Sequence, residues 1–305
     1  MVDILLSTYN GEKYLCPQLN SLLSQTFKDY RIIVRDDGSY DNTVKIIRNY
    51  KERYPNKFIL LTNNNQNLGS TNSFFELLKK STSDLIMFCD QDDVWNNDKV
   101  EKTVSFYKKN CKDQNKPTLV HSAVSVVNEN LSFIENETEN FNKKKCGMER
   151  TLVSQIFNND VTGCTVLVNS AMRDILKSID FQSHKVIQHD WLMSLVSYVN
   201  NSKFFLQEKT MLYRQHKNNV IGIKKLSIFQ KILLKIKKGI QYPYYEQVKT
   251  LLLITKPIKY KNEELLQEFS NLKAKNKFLR ILWHIKNKFF RDGNIFYKLY
   301  QLIAC

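Results

Sequence analysis

The sequence predicts an α/β protein with a mostly parallel central sheet flanked by helices. Four short apolar, β-rich runs, at residues 2–7, 31–35, 58–62 and 84–89, alternate with segments whose apolar residues recur every three or four positions. This alternation is typical of βαβ units, in which helices cover a parallel sheet. With 305 residues and a hydrophobic content of 42%, the chain can bury a sizeable core, which excludes a disordered protein.

Polar segments follow the predicted strands, at the point where each strand ends. They read "STYNG", "RDDGS", "NNNQNLGS" and "CDQDD". Open α/β sheets bind ligands at the carboxyl ends of their strands. The sequence therefore predicts a binding site formed by these four segments.

Two of these segments are strongly acidic. "CDQDD" brings Asp90, Asp92 and Asp93 together, and "RDDGS" adds Asp36 and Asp37. Neighbouring carboxylates repel one another, which raises the pKa of at least one of them unless a cation neutralises the charge. Hard oxygen ligands suit Mg²⁺ or Mn²⁺, so the pattern favours a metal-assisted site for a nucleotide diphosphate. The alternative is that Asp92 or Asp93 caps the helix that follows.

Four motifs occur along the first third of the chain: "STYNGEKYL", "IIVRDDGSYDNT", "NNQNLGSTNSF" and "MFCDQDDVWNNDKVEK". In order and spacing they resemble the inverting glycosyltransferases of family 2, which have the Rossmann-like GT-A fold. Three further motifs, "VTGCTVLVN", "HDWLMSLV" and "YRQHKNNVIG", are similar to the bacterial rhamnosyltransferase branch of that family. This branch builds rhamnose-containing cell-wall polysaccharides and capsules. The resemblance covers residues 2–222 and predicts a catalytic domain at residues 1–222.

The resemblance implies transfer of L-rhamnose from dTDP-β-L-rhamnose to a hydroxyl of a polyprenyl-diphosphate-linked glycan, with an α linkage in the product. The donor sugar depends on the resemblance, because no residue distinguishes a 6-deoxyhexose from glucose or galactose. Transfer from a UDP-hexose on the same fold is the alternative. A noncatalytic polysaccharide-binding protein is disfavoured because the "DDG", "DQDD" and "HDW" motifs are all retained.

The resemblance also implies which residues bind the donor. Ser7 and Tyr9 would bind the nucleotide-sugar, with the Tyr9 ring stacked on the nucleobase. Asp37 would accept a hydrogen bond from the pyrimidine N3. Asp90 would contact the ribose or share the metal site, and Asp92 would hold the Mg²⁺ or Mn²⁺ ion that bridges the diphosphate. For Tyr9, the alternative is ordinary packing under a helix.

The acceptor side is predicted from "VTGCT" and "IQHDW". In the resembling family the acidic residue of the second motif is the catalytic base, so Asp190 would take the proton from the acceptor hydroxyl. His189 is a weaker candidate for the same role, and Asp190 as a helix N-cap is the structural alternative. Gly163 and Cys164 would line the acceptor side.

Cations and aromatic residues complete the predicted site. Arg214 and His216 follow a predicted strand in "YRQH", where they would stabilise the negative charge that grows on the departing diphosphate. A surface position for Arg214 is the alternative. Trp95 and Trp191 would either form walls of the sugar pocket or pack in the core.

The C-terminal region carries most of the positive charge. From Ile221 to Cys305 there are 18 Lys or Arg residues against 5 Asp or Glu, and the whole chain has a formal charge of +16. Residues 223–305 are predicted to form basic amphipathic helices that contact an anionic membrane surface. The alternatives are packing on the catalytic domain or pairing in a homodimer. Nucleic-acid binding is disfavoured because the sequence has no helix-turn-helix, zinc or RNP pattern.

The predicted location is cytoplasmic, at the inner face of the plasma membrane. The sequence "MVDILLSTYN" has neither the basic nor the long apolar region of a signal peptide. No apolar run approaches the roughly 20 residues that span a bilayer. Attachment to the membrane is therefore expected to be peripheral.

Overall fold

The computed structural model describes residues 1–61, 66–145, 151–181, 184, 186–217, 243–255 and 263–288. Eleven α-helices and eight strands are assigned within these residues. The strands are β1 (Val2–Thr8), β2 (Tyr30–Asp36), β3 (Phe58–Leu60), β4 (Leu85–Cys89), β5 (Val94–Trp95), β6 (Leu119–Val127), β7 (Val166–Asn169) and β8 (Lys203–Arg214).

Eight described α-helices lie between β1 and β8 in the chain. They are α1 (Glu12–Leu23), α2 (Thr43–Arg53), α3 (Gly69–Lys80), α4 (Lys99–Asn110), α5 (Glu135–Lys145), α6 (Leu152–Phe157), α7 (Ser170–Lys177) and α8 (His189–Val199). Three more follow in the C-terminal region, namely α9 (Pro243–Thr255), α10 (Glu263–Asn271) and α11 (Lys277–Lys286). Short 3₁₀ turns precede β7 (Gly163–Thr165) and α11 (Leu272–Ala274).

The described strands form one sheet in the order β3-β2-β1-β4-β7-β6-β8-β5. The first four strands in this order are parallel, as the βαβ rhythm predicts. β7 runs antiparallel to both β4 and β6, and β5 runs antiparallel to β8. The sequence analysis did not predict this mixed half, because β7 follows a tight 3₁₀ turn and β5 is only two residues long.

Apolar side chains cover both faces of the sheet. On one face, Leu5 and Ile33 pack with residues of α3, α6, α7 and α8. On the other face, Ile4 and Leu6 pack with residues of α1, α2 and α4. Burial on both faces is typical of a parallel sheet between two helical layers. The predicted α/β architecture is therefore confirmed.

The described C-terminal helices join the core of the catalytic half. Tyr245 in α9 and Phe269 in α10 are fully buried and belong to the same hydrophobic cluster as Leu192 in α8. The alternative of a tail that packs on the catalytic domain therefore holds for these helices. The predicted boundary at residue 222 lies outside the described residues. Within the described part of the chain, no helix is long and apolar enough to cross a bilayer.

Candidate active site

Three parallel strands end side by side at the edge where the site is predicted. In the parallel register, Thr8 of β1 pairs with Asp36 of β2, and Leu6 pairs with Cys89 of β4. Tyr9, Asp37 and Asp90, the next residues along the chain, therefore leave the sheet at the same edge. Their common position follows directly from the parallel pairing of these strands.

Tyr9 presents an aromatic ring at the surface of this edge. Its side chain is 45% exposed, and its ring meets the ring of Tyr40 edge-on at a centroid distance of 6.4 Å. Ordinary packing under a helix, the alternative for Tyr9, is therefore wrong. Tyr40 is itself 85% exposed and was not among the predicted site residues.

Gln91 fixes the backbone of Tyr9. Its side-chain Nε2 donates to the Tyr9 carbonyl, and its Oε1 accepts from the Tyr9 N–H, both at 2.9 Å. A Cβ on Gly11 would lie 2.1 Å from Gln91 Oε1, so only glycine leaves room for this amide. Sequence reasoning missed Gln91, although its position between the acids of "DQDD" was a signal.

Asp37 anchors the segment that leads into α3. Its carboxylate accepts hydrogen bonds from the N–H groups of Leu68 and Gly69, both at 2.8 Å, and forms an ion pair with Arg35. The side chain is buried. Because each carboxylate oxygen has two lone pairs, these bonds leave acceptor capacity for a ligand N–H.

Ser7 belongs to the same polar network. Its hydroxyl lies 2.7 Å from the hydroxyl of Ser73 in α3, which also accepts a hydrogen bond from Arg35 at 3.0 Å. Ser7 is half-buried. It therefore links β1 to α3 beneath the predicted nucleotide site.

The three carboxylates of "DQDD" have different surroundings. Burial, followed by the nearby charges of Asp92 and Asp190, raises the pKa of Asp90 to about 7. Burial and the charges of Asp92 and Asp90 raise the pKa of Asp93 well above its ordinary value. The prediction that at least one of these acids has a raised pKa is thus confirmed in direction.

Asp93 faces the interior. It is 1% exposed; its Oδ1 accepts a hydrogen bond from the Arg214 N–H at 3.0 Å, and its Oδ2 has no partner among the described residues. Helix α4 begins at Lys99 with Asp98 at the N-cap position, so neither Asp92 nor Asp93 caps it. The capping alternative for these two acids is wrong.

Asp92 pairs with the imidazole of His216. The distance from Asp92 Oδ2 to His216 Nε2 is 2.8 Å, and the two side chains are 17% and 7% exposed. The Tyr14 ring stacks on the imidazole with a centroid distance of 4.6 Å. The Tyr14 hydroxyl in turn donates to Glu129 Oε1 at 2.7 Å. Sequence reasoning missed Tyr14 and Glu129, which lie 115 residues apart in the chain.

The donor set at this edge fits a hard divalent cation. Asp90, Asp93 and Cys164 each offer one ligand atom within 4.8 Å of the others, and Asp93 has the buried Oδ2 described above. Burial raises the pKa of the Cys164 thiol well above its ordinary value, which disfavours the thiolate that a metal would require. Asp92 and His216, which lie 2.8 Å apart, could offer an oxygen and a nitrogen atom to the same ion.

Arg214 supports the acidic loop. Its Nε donates to the Asp92 carbonyl and its Nη1 donates to the Glu129 carbonyl, both at 2.7 Å. The side chain is buried, and its guanidinium lies 4.9 Å from the centroid of the Tyr14 ring. The alternative of a surface arginine is therefore wrong. Contact between Arg214 and the diphosphate stays a prediction.

Asp190 lies at the start of α8. The helix begins at His189, and Gln188 occupies the N-cap position with an extended backbone, so Asp190 is not the cap. The Asp190 carboxylate is buried and accepts a hydrogen bond from the Trp191 N–H at 2.7 Å. Its charge contributes to the raised pKa of Asp90, after burial and the charge of Asp92. The role of Asp190 as the base stays a prediction.

His189 is a packing residue. Its imidazole lies against the rings of Phe74 and Phe88, at centroid distances of 4.4 and 5.3 Å. Burial lowers the pKa of His189, which favours the neutral ring. A Cβ on Gly163 would lie 2.9 Å from His189 Nε2. Gly163 therefore allows the turn before β7 to approach the start of α8, next to Asp190.

Cys164 is buried next to the acidic cluster, and its contact with the acceptor stays a prediction. Its side chain is 1% exposed and belongs to the hydrophobic cluster of α1, α2 and α4. Its carbonyl accepts a hydrogen bond from Lys99 Nζ at 3.0 Å. Lys99 is fully buried, and this desolvation lowers its pKa to about 8.

Trp95 and Trp191 are buried in the two hydrophobic clusters, which supports the alternative of core packing. Trp95 is 2% exposed, and Lys99 Nζ lies 4.6 Å from its ring centroid. The indole N–H of Trp191 donates to the Gln155 carbonyl at 2.7 Å, and its ring meets Tyr244 of α9 edge-on. Trp191 thus joins α8 to the C-terminal helices.

The fold and the acidic edge fit a sugar-transferring enzyme that uses a nucleotide-linked donor. The chain belongs to glycosyl transferase family 2, because the model of that family matches residues 3–170, more than half of its length. Members of this family with the GT-A fold commonly use a divalent metal ion. Asp190, Arg214 and His216 lie beyond the matched residues.

Individual relatives differ in the donors that their names record. The dTDP-rhamnosyl transferase RfbG of Shigella flexneri is 28% identical over 228 residues, which cover 71% of this chain and 73% of the relative. The Escherichia coli protein named UDP-Glc:alpha-D-GlcNAc-diphosphoundecaprenol beta-1,3-glucosyltransferase WfgD is 27% identical over 167 residues, 50% of this chain and 62% of the relative.

A solved structure confirms the fold. The complex of UDP with residues 1–349 of TarS from S. aureus superimposes with a TM-score of 0.56 and 19% identity, covering 89% of this chain and 71% of TarS. At this level of identity the likeness concerns the fold alone. The protein therefore has the predicted GT-A fold.

Proposed function

We propose that this protein is an inverting rhamnosyltransferase, which transfers L-rhamnose from dTDP-β-L-rhamnose to a hydroxyl of a lipid-linked glycan. The observation that carries the proposal is the meeting of three chain segments at one edge of the sheet. The acidic loop after β4 contacts the end of β8 through Asp92 and His216, and Asp190 at the start of α8 acts on the pKa of Asp90. The RfbG name supports the choice of donor.

In the proposed reaction, Asp190 acts as the general base. The acceptor oxygen attacks the anomeric carbon from the face opposite the diphosphate, and Asp190 takes the hydroxyl proton. The bond from the anomeric carbon to the acceptor oxygen forms as its bond to the diphosphate oxygen breaks, so the β donor gives an α product and dTDP. A positioned base of this kind contributes about 10² to 10⁴ in rate.

The leaving diphosphate requires positive charge. Asp92 and His216 are the proposed ligands of Mg²⁺ or Mn²⁺, which would neutralise the diphosphate oxygens when bound. Arg214 holds the acidic loop through the Asp92 carbonyl and keeps these ligands in place. In the proposed donor complex, Tyr9 stacks on thymine and Asp37 accepts from its N3–H.

A UDP-hexose is the second candidate donor. It is favoured by the name of the E. coli relative and by the UDP complex of TarS. The residues around Tyr9 and Asp37 serve a uracil or a thymine ring equally, because both rings carry the same N3–H. A noncatalytic polysaccharide-binding protein is the least favoured reading, since the acids of the site are all retained.

A donor screen tests the proposal. Nucleotide release is measured with dTDP-rhamnose, UDP-glucose, UDP-galactose and UDP-N-acetylglucosamine, each with and without EDTA. Release from dTDP-rhamnose that EDTA abolishes is the expected result. Faster nucleotide release from a UDP-sugar would show that the UDP-sugar is the donor and would leave the proposed transfer reaction in place. No nucleotide release from any of the four donors would overturn both the rhamnose donor and the transfer reaction.

The acceptor is proposed to be a polyprenyl-diphosphate-linked glycan at the inner face of the plasma membrane. The acceptor in the name of the E. coli relative, a diphosphoundecaprenol-linked sugar, supports this class. The basic C-terminal region supports attachment at that surface. In this proposed arrangement the enzyme and its lipid-linked acceptor lie at the same membrane surface.

A further inference from the structure

Helix α11 exposes an apolar face. Phe278, Leu279, Leu282 and Ile285 are between 46% and 68% exposed, and their spacing places them along one side of the helix. The opposite side is docked on the protein: His284 is fully buried and meets the Phe269 ring edge-on. The exposed side of a docked helix is ordinarily polar, so this arrangement is reversed from the usual pattern.

The chain segment that carries this apolar face is strongly basic in sequence. Residues 272–288 contain six Lys or Arg residues and no Asp or Glu. Of these, Lys273 pairs with Glu246 in α9. The others, which adjoin or lie within α11, are Lys275, Lys277, Arg280, Lys286 and Lys288.

The apolar face and the basic residues together indicate which kind of partner binds α11. The centre of a protein interface is typically depleted of lysine, and basic side chains at its rim need matching carboxylates on the partner. An anionic bilayer accepts both features at once, because its phosphates bind the basic side chains and its acyl region takes up the apolar ones. Exposed apolar patches of this kind mark interaction sites.

We infer that the exposed face of α11 is the lipid-contacting surface of the protein. The helix lies in the plane of the headgroups, with Phe278, Leu282 and Ile285 directed toward the acyl chains. The lysines at its two ends bind lipid phosphates. This inference rests on the proposed membrane attachment and assigns that attachment to one helix; it is independent of the donor sugar.

Vesicle sedimentation of the full chain tests the assignment. The lipid probes are vesicles of phosphatidylcholine and vesicles of phosphatidylcholine mixed equally with phosphatidylglycerol. The test variant is Phe278→Gln with Leu282→Gln, and Leu282→Gln alone is the milder form. The matched control is Ile59→Gln, which removes an exposed apolar side chain from β3 in the catalytic half.

The wild type and Ile59→Gln are expected to bind the anionic vesicles and to bind the neutral ones weakly. The double variant should lose about tenfold in partitioning, and added salt should weaken the wild type. Nucleotide release from the donor chosen by the screen should stay unchanged in all variants. Thermal melting confirms that each variant is folded.

The opposing outcomes are distinct. Equal partitioning of a folded double variant would overturn α11 as the contact while leaving the attachment itself in place. Failure of the wild type to bind anionic vesicles would overturn the attachment, and normal nucleotide release would show that the proposed reaction survives. If the wild type forms dimers that the double variant cannot form, and neither binds vesicles, the face belongs to a second copy.

Discussion

His216 Nε2 lies 2.8 Å from Asp92 Oδ2, although the two residues are 124 positions apart in the sequence. The contact joins the end of β8 to the loop after β4. It brings an imidazole to Asp92, which is more exposed than the buried Asp93. A metal bound between Asp92 and His216 would need both side chains.

Asp92→Asn and His216→Gln should each weaken metal-dependent nucleotide binding by at least about tenfold. Asp92→Asn keeps the side-chain shape and removes the carboxylate charge. His216→Gln keeps a polar side chain and removes the imidazole nitrogen that would bind the metal. Titration calorimetry with dTDP in the presence of Mn²⁺ or EDTA measures the effect. Affinity that is unchanged and equally sensitive to EDTA would exclude the two residues as ligands.

Asp190→Asn should keep donor affinity and lower kcat by about 10² to 10⁴, because the variant cannot take the acceptor proton. Asp174→Asn on α7, whose carboxylate is exposed and pairs with Arg173, is the matched control. Kinetics at saturating donor separate kcat from KM. Near-normal turnover of Asp190→Asn would reject this residue as the base.

Gly11→Ala and Gly163→Ala should impair different parts of the reaction. The new methyl at residue 11 meets Gln91, which holds the Tyr9 backbone, so donor binding should fall. The methyl at residue 163 meets His189 at 2.9 Å and displaces the start of α8, so kcat should fall while nucleotide affinity remains. Identical effects of both changes on nucleotide affinity would contradict this division.

The buried Lys99 side chain should make the free energy of unfolding increase with pH between about 8 and 10.5. Burial lowers its pKa from 10.5 to about 8, so the folded state resists protonation more than the unfolded state does. Between these two values the unfolded chain binds more protons, and the contribution of Lys99 to stability therefore increases as pH rises. Fully developed, the shift corresponds to about 3 kcal/mol.

Urea unfolding of the wild type and Lys99→Met at pH 7 and pH 10 measures this contribution. The difference in unfolding free energy, wild type minus variant, should be more favourable to the wild type at pH 10. Subtracting the variant removes the titration of groups that both proteins share. A difference that does not change with pH would show that Lys99 is solvated in the folded protein.

The sequence pattern predicted the parallel strands and the site at their carboxyl ends because both depend on local features. Hydrophobic alternation identifies β1, β2 and β4, and parallel pairing then requires Tyr9, Asp37 and Asp90 to leave the sheet together. The repulsion among the carboxylates of "DQDD" likewise follows from their closeness in the sequence. These inferences need no knowledge of distant contacts.

The direction of individual side chains could not be predicted in the same way. Trp95 lies in a two-residue strand whose orientation is set by pairing with β8, and that pairing turns the indole into the core. Cys164 sits in a 3₁₀ turn that Lys99 fixes from another element. Tyr14 of α1 and Glu129, which follows β6, meet through a hydrogen bond between distant parts of the chain, which a motif does not record.

The strand β4 has parallel β1 on one side and antiparallel β7 on the other. The proposed nucleobase contacts follow strands on the parallel side, and the proposed base follows elements on the antiparallel side. The acidic loop follows β4 itself, the strand at this seam. We therefore expect substitutions on the antiparallel side of this seam to change which acceptor hydroxyl is presented, while nucleotide recognition on the parallel side is preserved.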